Sequence, residues 1–461
     1  MITKDQIVGA IDIGTTKIVT IIGKKNESGR LEILAMAKTE SKGVKRGVVQ
    51  NIEETVAAIS KTVQEAELKA GVKLNEVFVG IAGQHIRSIK NRGYINRNSY
   101  DDEITRDDIK ALENDMRRIP IDVGEEIIHV IPQSYVVDNE PGVKAPVGMS
   151  GKRLEANFHI VIAQIASAKN IEKCVLRAGL KVKCLMLEPL ASAEAVLTAD
   201  EKEAGVALVD IGGGTTDIAV YYDDIIRHTA VIPFGGNVIT KDIKEGCAIL
   251  QRQAELLKMQ FGSALGEMAE EDKVVSIAGI AGRDPKEISF KSLAYIIQSR
   301  MEEILDAVTF EIENSGYLDK LSAGIVVTGG GAMLRHLPQL VKFKTGMDVR
   351  IGYPNEHLAA SVPADINLPM YATAVGLVLK GFEFLNDNNE SIQNKSFIQE
   401  LRNELPKEPV INALDDDEDE VEETKSADST AKKIEAKDKP KFIDSFRRAF
   451  NDLFEEQDAK M

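Results

Sequence analysis

Apolar residues along this chain come first in short unbroken runs and last in a helical stripe. The runs Ile7 to Ile13 and Val206 to Ile211 are each followed at once by a second β-rich run, Ile18 to Ile22 and Ile218 to Tyr222. Runs of this length around a tight cluster of glycine and threonine predict strand, turn, strand, twice in one chain. Ile52 to Ala70 predicts a helix and Glu76 to Ala82 a further strand, with another helix restarting near Ser167. At the far end, Phe442, Ile443, Phe446, Ala449, Phe450, Leu453 and Phe454 fall within an arc of about 140° on a helical wheel, while Asp444, Ser445, Arg448, Asn451 and Asp452 occupy the rest.

The two turns are near copies, Asp12-Ile13-Gly14-Thr15-Thr16-Lys17 and Asp210-Ile211-Gly212-Gly213-Gly214-Thr215-Thr216-Asp217. Glycine lets backbone N–H groups approach a ligand without an intervening Cβ, threonine adds hydroxyl donors, and successive turn amides form an anion-binding concavity. Two such loops facing one another would grip a polyphosphate. Aspartates beside bare phosphate are explained if Asp12 and Asp210 hold Mg²⁺ through its waters and Lys17 neutralises phosphate oxygens. Asp217 is either a base near the reacting phosphate or a stabiliser of its own turn. A third element, Ile325 to Met333, again places glycines directly after an apolar strand, where backbone would pass close to a flat base or an α-phosphate. Neither a dinucleotide fingerprint nor a Walker loop is present.

Composition narrows the classes. At 461 residues with 43% hydrophobic content the chain should hold two or more domains with ample cores. Cys174, Cys184 and Cys247 form no Cys-x-x-Cys pair and read as buried small hydrophobes in a reducing, cytoplasmic setting. The six histidines, His85, His129, His159, His228, His336 and His357, lack metal-ligand spacing and read as solvated or structurally bonded. No signal-peptide pattern opens the chain and no apolar run is long enough to span a bilayer. The net charge of -16 argues against nonspecific nucleic-acid binding.

Three glycine-rich turns in this order resemble the superfamily of actin, sugar kinases and DnaK-type chaperones, whose members close two lobes over Mg·ATP. More specifically, Gly47 to Ile52 running on to Ala66-Glu67, Val79 to His85, Glu126 to Pro132 and above all Pro146 to Leu154 resemble the bacterial FtsA family, from about residue 5 to about 382. The resemblance implies an α/β, actin-like (ribonuclease H-like) pair of duplicated lobes with inserted subdomains. It assigns Asp12, Gly14, Thr15, Thr16 and Lys17 to the first phosphate loop and Asp210, Gly212, Gly213, Gly214, Thr215 and Thr216 to the second, with Gly329, Gly330, Gly331 and Ala332 taking the adenosine. Ala254 to Lys258 matches a helix that lies over the ribose, giving Glu255 and Lys258 that role; their helical spacing alternatively lets them pair with nearby charges on an exposed face.

The expected organisation is a first lobe over 1–83 and 166–203, a family-specific subdomain at 84–165, and a second lobe over 204–385 with an insertion at about 241–316. The family resemblance makes the subdomain around Pro146 to Leu154 a self-association or partner surface. It makes the second insertion the receiver of the C-terminal peptide of FtsZ, the tubulin-like division protein, with Arg300, Glu302 and Glu303 as contributors or as an ordinary solvated helix face. Residues 386–439 lose apolar periodicity, and Asp415 to Glu423 is acidic everywhere except Val421, so a disordered linker is expected. Such a linker would span on the order of 40 Å.

The final segment, 440–456, is expected to be an amphipathic helix that binds membrane through Phe442, Ile443, Phe446, Phe450, Leu453 and Phe454. Even half-burial of these side chains yields a gross gain on the order of 5 kcal/mol, enough for reversible binding to a bilayer with anionic lipids. The alternative is docking on the chain's own globular part or a partner groove. Together these readings point to an ATP- and Mg²⁺-binding division protein that self-associates on the cytoplasmic face of the inner membrane at the division site, anchors FtsZ filaments and meets other division proteins. Nucleotide turnover would be slow or absent, and no residue stands out to position an attacking water. The competing class is a sugar or small-acid kinase, which needs a substrate pocket with a carboxylate base and has no use for the terminal helix. A chaperone-like ATPase would need a folded domain after residue 390, which the acidic stretch leaves no room for.

Overall fold

The structure, a computed structural model, describes residues 6–99, 102–279, 283–359 and 363–386. Beyond residue 386, the expected linker and the terminal helix with its six membrane-facing residues lie outside the described residues. Within them, no helix is long and apolar enough to cross a membrane.

The first lobe begins with β1 (Ile7–Ile13), β2 (Lys17–Lys25) and β3 (Leu31–Glu40), then the two-residue strands β4 (Val44–Lys45) and β5 (Val48–Val49), helix α1 (Ile52–Ala70) and β6 (Glu76–Ile81). Six of the seven β1 residues are buried, as expected of an apolar strand flanked on both sides: β2 pairs with it antiparallel and β6 parallel. Asn51 caps α1 by accepting the Glu54 N–H at 3.2 Å, and Gly71 closes it in the left-handed conformation at φ 68°.

The chain then leaves the lobe for β7 (Ile86–Asn96), α2 (Arg106–Met116), β8 (Glu125–Val137), β9 (Glu140–Val143) and β10 (Arg153–Gln164), which form a separate four-stranded sheet in the order β7-β10-β8-β9. One face packs on α2 through Leu112, Met116, Phe158 and Ile160. The run from Pro146 enters β10 through a loop tied to the main chain of Ile104. His85, at the entrance to this sheet, is 6% exposed with neither ring nitrogen bonded, so it is neither solvated nor structurally bonded as the sequence implied. Burial pushes its pKa down to about 4 and keeps the ring neutral.

α3 (Ile165–Arg177), β11 (Lys181–Leu187) and α4 (Glu188–Val196) return to and leave the first lobe. The second lobe follows with α5 (Ala199–Ala204), β12 (Val206–Ile211), β13 (Thr216–Tyr222), β14 (Ile225–Ile232), α6 (Gly236–Cys247), α7 (Gln251–Phe261), β15 (Val274–Ile277), β16 (Lys286–Ser289), α8 (Phe290–Ser315), β17 (Ile325–Thr328), α9 (Leu337–Thr345), β18 (Val349–Ile351) and a last helix, α10, over 372–386. The first lobe's sheet runs β3-β2-β1-β6-β11 and the second's β14-β13-β12-β17-β18, so each strand of one has its counterpart in the other. The turn repeat seen in the sequence is therefore the visible part of a duplicated lobe.

Two helices cross between the lobes. A Cβ on Gly376 of α10 would fall 1.8 Å from the Ala191 carbonyl of α4, and one on Gly381 would fall 2.7 Å from Val8 of β1, so these glycines set how closely α10 approaches its neighbours. The four-stranded sheet also meets the second lobe: His159 Nε2 bonds Thr229 Oγ1 at 2.8 Å, Ser88 Oγ donates to the Thr229 carbonyl at 3.2 Å, and Gln133 Nε2 donates to the Ile226 carbonyl. Of the cysteines, Cys174 is buried, but Cys184 and Cys247 are only half-buried, because one lies on an edge strand and the other ends α6; all are free thiols.

Candidate functional site

The two glycine turns meet where the lobes face each other. A Cβ on Gly213 would lie 1.9 Å from Thr16 Oγ1 and one on Gly214 2.4 Å from Thr15 Oγ1, so the second turn has glycine where the first has threonine pressed against it. Thr15 Oγ1 accepts the Gly47 N–H at 3.1 Å, leaving its own proton available. Gly212 N–H donates to the Thr215 carbonyl at 2.9 Å, closing the second turn. Its outer side is gripped by the start of α6, with Gly236 N–H on the Gly212 carbonyl at 2.9 Å and Asn237 N–H on the Gly213 carbonyl at 2.8 Å. Thr216 faces away from the opening: it is fully buried and its hydroxyl donates to the Phe234 carbonyl at 2.9 Å. The hydroxyl of Thr215 likewise turns to Asp217 Oδ2 at 3.2 Å. These threonines therefore build the turn and leave its backbone to face a ligand, which differs from the hydroxyl donors the sequence implied.

Four carboxylates surround this contact. Asp12, the penultimate residue of β1, is 6% exposed, and its pKa rises to about 6 because burial outweighs the opposing pull of Lys17, with Asp210 adding repulsion. Burial raises Asp210 as well, opposed by hydroxyls from Ser192 at 2.7 Å and Thr373 at 3.2 Å and by Lys17. Burial, then Asp210, lifts Asp217 well above the ordinary carboxylate range, and its Oδ1 has no hydrogen-bond partner. The fourth, Glu188 at the start of α4, is held well above that range by burial and by Asp12, Asp217 and Asp210, with Lys17 opposing. A Cβ on Gly80 of β6 would fall 3.0 Å from Glu188 Oε1, so glycine there makes room for it.

Sequence reasoning missed Glu188. Its signal was an acid and Pro189 directly after the apolar strand Lys181–Leu187, a strand-to-helix junction that reads as an ordinary helix start. It also missed Ser192 and Thr373, whose spacing in sequence shows nothing of their common partner.

The third glycine element closes against the second. Gly329 adopts φ 82° and a Cβ there would lie 2.3 Å from Asp210 Oδ1; a Cβ on Gly331 would lie 2.3 Å from Ile211 Cγ2. Gly330 has open space around it and Ala332 is buried. Glu255 and Lys258 lie inward on α7: the Lys258 ammonium donates to the Gly236 carbonyl at 2.9 Å and to Thr240 Oγ1 at 2.7 Å, and pairs with Glu255 at 2.8 Å. They pair, as one reading had it, yet beside the second turn instead of on an open face. Arg300 is taken up by a two-pronged bond to Asp242 on α6 and by Glu303.

The donor set bears on a cation. Among the described residues no three His, Cys, Asp or Glu side chains are placed to ligate a metal directly. Asp12, Asp217 and Glu188 are each raised in part by neighbouring carboxylates and Asp217 Oδ1 has no hydrogen-bond partner, so a hydrated divalent cation contacting Asp12 and Asp210 through water fits this acidic cluster. Lys17, 5.6 Å from the centroid of the Tyr371 ring, is the cation of the first turn.

Comparison with known proteins bears on the whole arrangement. A family model described as "Cell division protein FtsA" matches residues 207–376, and one described as "SHS2 domain inserted in FTSA" matches residues 83–162. Cell division protein FtsA of Pseudomonas aeruginosa is 39% identical over 410 residues, covering 89% of this chain and 96% of that protein. That of Escherichia coli K12 is 34% identical over 419 residues, covering 88% and 99%. Among solved structures, the PilM-PilN type IV pilus biogenesis complex matches at a TM-score of 0.59 and 16% identity over 82% of this chain and 99% of that one. MreB5 of Spiroplasma citri bound to ADP matches at 0.50 and 16% identity, over 84% and 99%. The structural likenesses establish an actin-like fold.

Proposed function

This chain belongs to the FtsA family of cell-division proteins, and from that membership we propose that it is an ATP-binding, actin-like protein that self-associates on the cytoplasmic face of the membrane and anchors FtsZ filaments there. The observation that carries the nucleotide part is the direct contact of the two glycine turns, Gly213 on Thr16 and Gly214 on Thr15. Backbone amides of the two turns would face one anion there, with the third turn beside Asp210. Asp12, Gly14, Thr15, Thr16 and Lys17 would face the phosphates from one side, and Gly212, Gly213, Gly214 and the backbone of Thr215 from the other. Gly329, Gly330, Gly331 and Ala332 lie where the adenosine would go, with Glu255 and Lys258 at the ribose side.

Bound Mg²⁺ would supply positive charge to the phosphates and to the acidic floor of the cleft. Asp12 and Asp210 hold its waters in this reading. Glu188 lies among these acids, its pKa raised by burial and by Asp12, Asp217 and Asp210, and positive charge bound there would oppose that shift. Slow or absent turnover would suit a nucleotide that sets the angle between lobes for assembly.

The subdomain of β7 to β10 would serve as a self-association or partner surface, and the helices around α6 to α8 would take the FtsZ C-terminal peptide. Residues 386–439 would act as tether and 440–456 as the membrane helix, supported by the stripe Phe442, Ile443, Phe446, Phe450, Leu453, Phe454. The test is co-sedimentation with anionic liposomes in Mg·ATP, using the full chain, a chain ending at Lys437 and the pair Phe446→Glu, Phe450→Glu, each with and without FtsZ. The full chain should pellet and bring FtsZ down while both variants stay in solution; if all three stay in solution, the tether reading is lost.

A further inference from the structure

Asp210 is bonded by one hydroxyl from each helix that crosses between the lobes. Ser192, on α4, donates to its Oδ2 at 2.7 Å, and Thr373, on α10, donates to the same oxygen at 3.2 Å. The two hydroxyls lie 2.9 Å from each other. Ser192 is fully buried, and the helices carrying the two groups touch where Gly376 meets Ala191. The two donors thus sit on two different helices, and their acceptor on a third element, β12.

Three short contacts share two hydroxyl protons, so both protons go to Asp210, or one hydroxyl donates to the other and that other to Asp210. In either arrangement Oδ2 is committed to the helices. The other oxygen, Oδ1, points toward Gly329 of the third turn, where a Cβ would come within 2.3 Å. The carboxylate is thereby fixed in rotation, with one edge on the interlobe helices and the other toward the turns.

We infer that Ser192 and Thr373 are positioning residues that tie the cation-facing orientation of Asp210 to the packing of α4 on α10, and so to the angle between the lobes. The inference rests on the proposed Mg·ATP site. It assigns these two hydroxyls a role that no contact with nucleotide would give them. A lobe angle that separates the helices removes a donor and frees the carboxylate to rotate; a cation held at Asp210 favours the angle at which both donors reach.

The experiment compares the full chain with Ser192→Ala, Thr373→Val and Thr373→Ser, measuring the affinity for a fluorescent ATP analogue in Mg²⁺ and in EDTA, alongside the ligand-free melting temperature. The quantity of interest is the ratio of the two affinities, which general loosening of the fold would not move. Ser192→Ala should reduce that ratio about tenfold or more, Thr373→Val about threefold to tenfold, and Thr373→Ser should restore it. Equal ratios in all four proteins overturn the inference while leaving the nucleotide site standing. A parent chain that binds no nucleotide in either buffer overturns the site and the inference together.

Discussion

Between β1 and β2 the turn ends in a cation, Lys17, and leans on its neighbours through Gly47 N–H to Thr15 and Ser41 N–H to the Thr16 carbonyl at 3.0 Å. Between β12 and β13 the counterpart ends in a carboxyl group, Asp217, and is held by α6, by the Phe234 carbonyl and by both interlobe helices. Copies of one turn are thus divided in character: the first carries a cation, the second a carboxyl in a frame held by helices. Divergence is concentrated at the last residue of each turn and in the added glycine of the second, where threonine from the first has to fit.

The contact between turns is the sharpest place to break this division. Gly213→Val should weaken binding of the ATP analogue on the order of a hundredfold or more, since a side chain there must displace Thr16 or open the lobes, whereas Gly330→Ala, with nothing near it, should leave the folded chain's melting temperature unchanged. Next in size, Lys17→Ala should cost about tenfold to a hundredfold in affinity by titration, and Lys17→Arg should recover part of it. Loss of the same group should also push Asp12 further up, because Lys17 is what opposes its burial.

A third measurement uses pH. Asp12 has its pKa raised to about 6 in the fold against an ordinary value near 4, so its penalty is absent below the ordinary value, grows as pH rises, and is complete above about 6. Melting of ligand-free Asp12→Asn and parent should therefore diverge from pH 4 to 7, in favour of the variant, by up to about 3 kcal/mol. Mg·ATP should reverse the order above pH 6. The smallest expected effect is that of Glu255→Gln, a few-fold in affinity, against a larger loss of stability for Lys258→Met, whose ammonium holds the Gly236 carbonyl.

Much of this was legible in the chain. The strands Ile7–Ile13 and Val206–Ile211 end where the apolar runs end, α1 spans the residues its pattern implied, and the repeat of Asp-Ile-Gly marks the duplicated sheets. Local pattern reaches these because each turn lies beside its own strands. Glu188, Ser192 and Thr373 were not legible: an acid at a helix start, a serine in an alanine-rich helix and a threonine near residue 372 are ordinary locally, and only the crossing of α4 and α10 brings them to Asp210. The same holds for Thr216, whose hydroxyl was expected to face a ligand and instead meets Phe234, a partner set by the return of β14.

The bonds from Ser88 and Gln133 to the Thr229 and Ile226 carbonyls have a bearing on engineering. β14 is the outermost strand of its sheet, and an outermost strand with free carbonyls is a template for pairing with another chain. The four-stranded sheet occupies that rim with side chains that accept no further strand. Excising residues 84–165 would uncover a sticky border on the opposite lobe. Aggregation of such a deletion would then reflect lost shielding of β14 before any loss of regulated assembly.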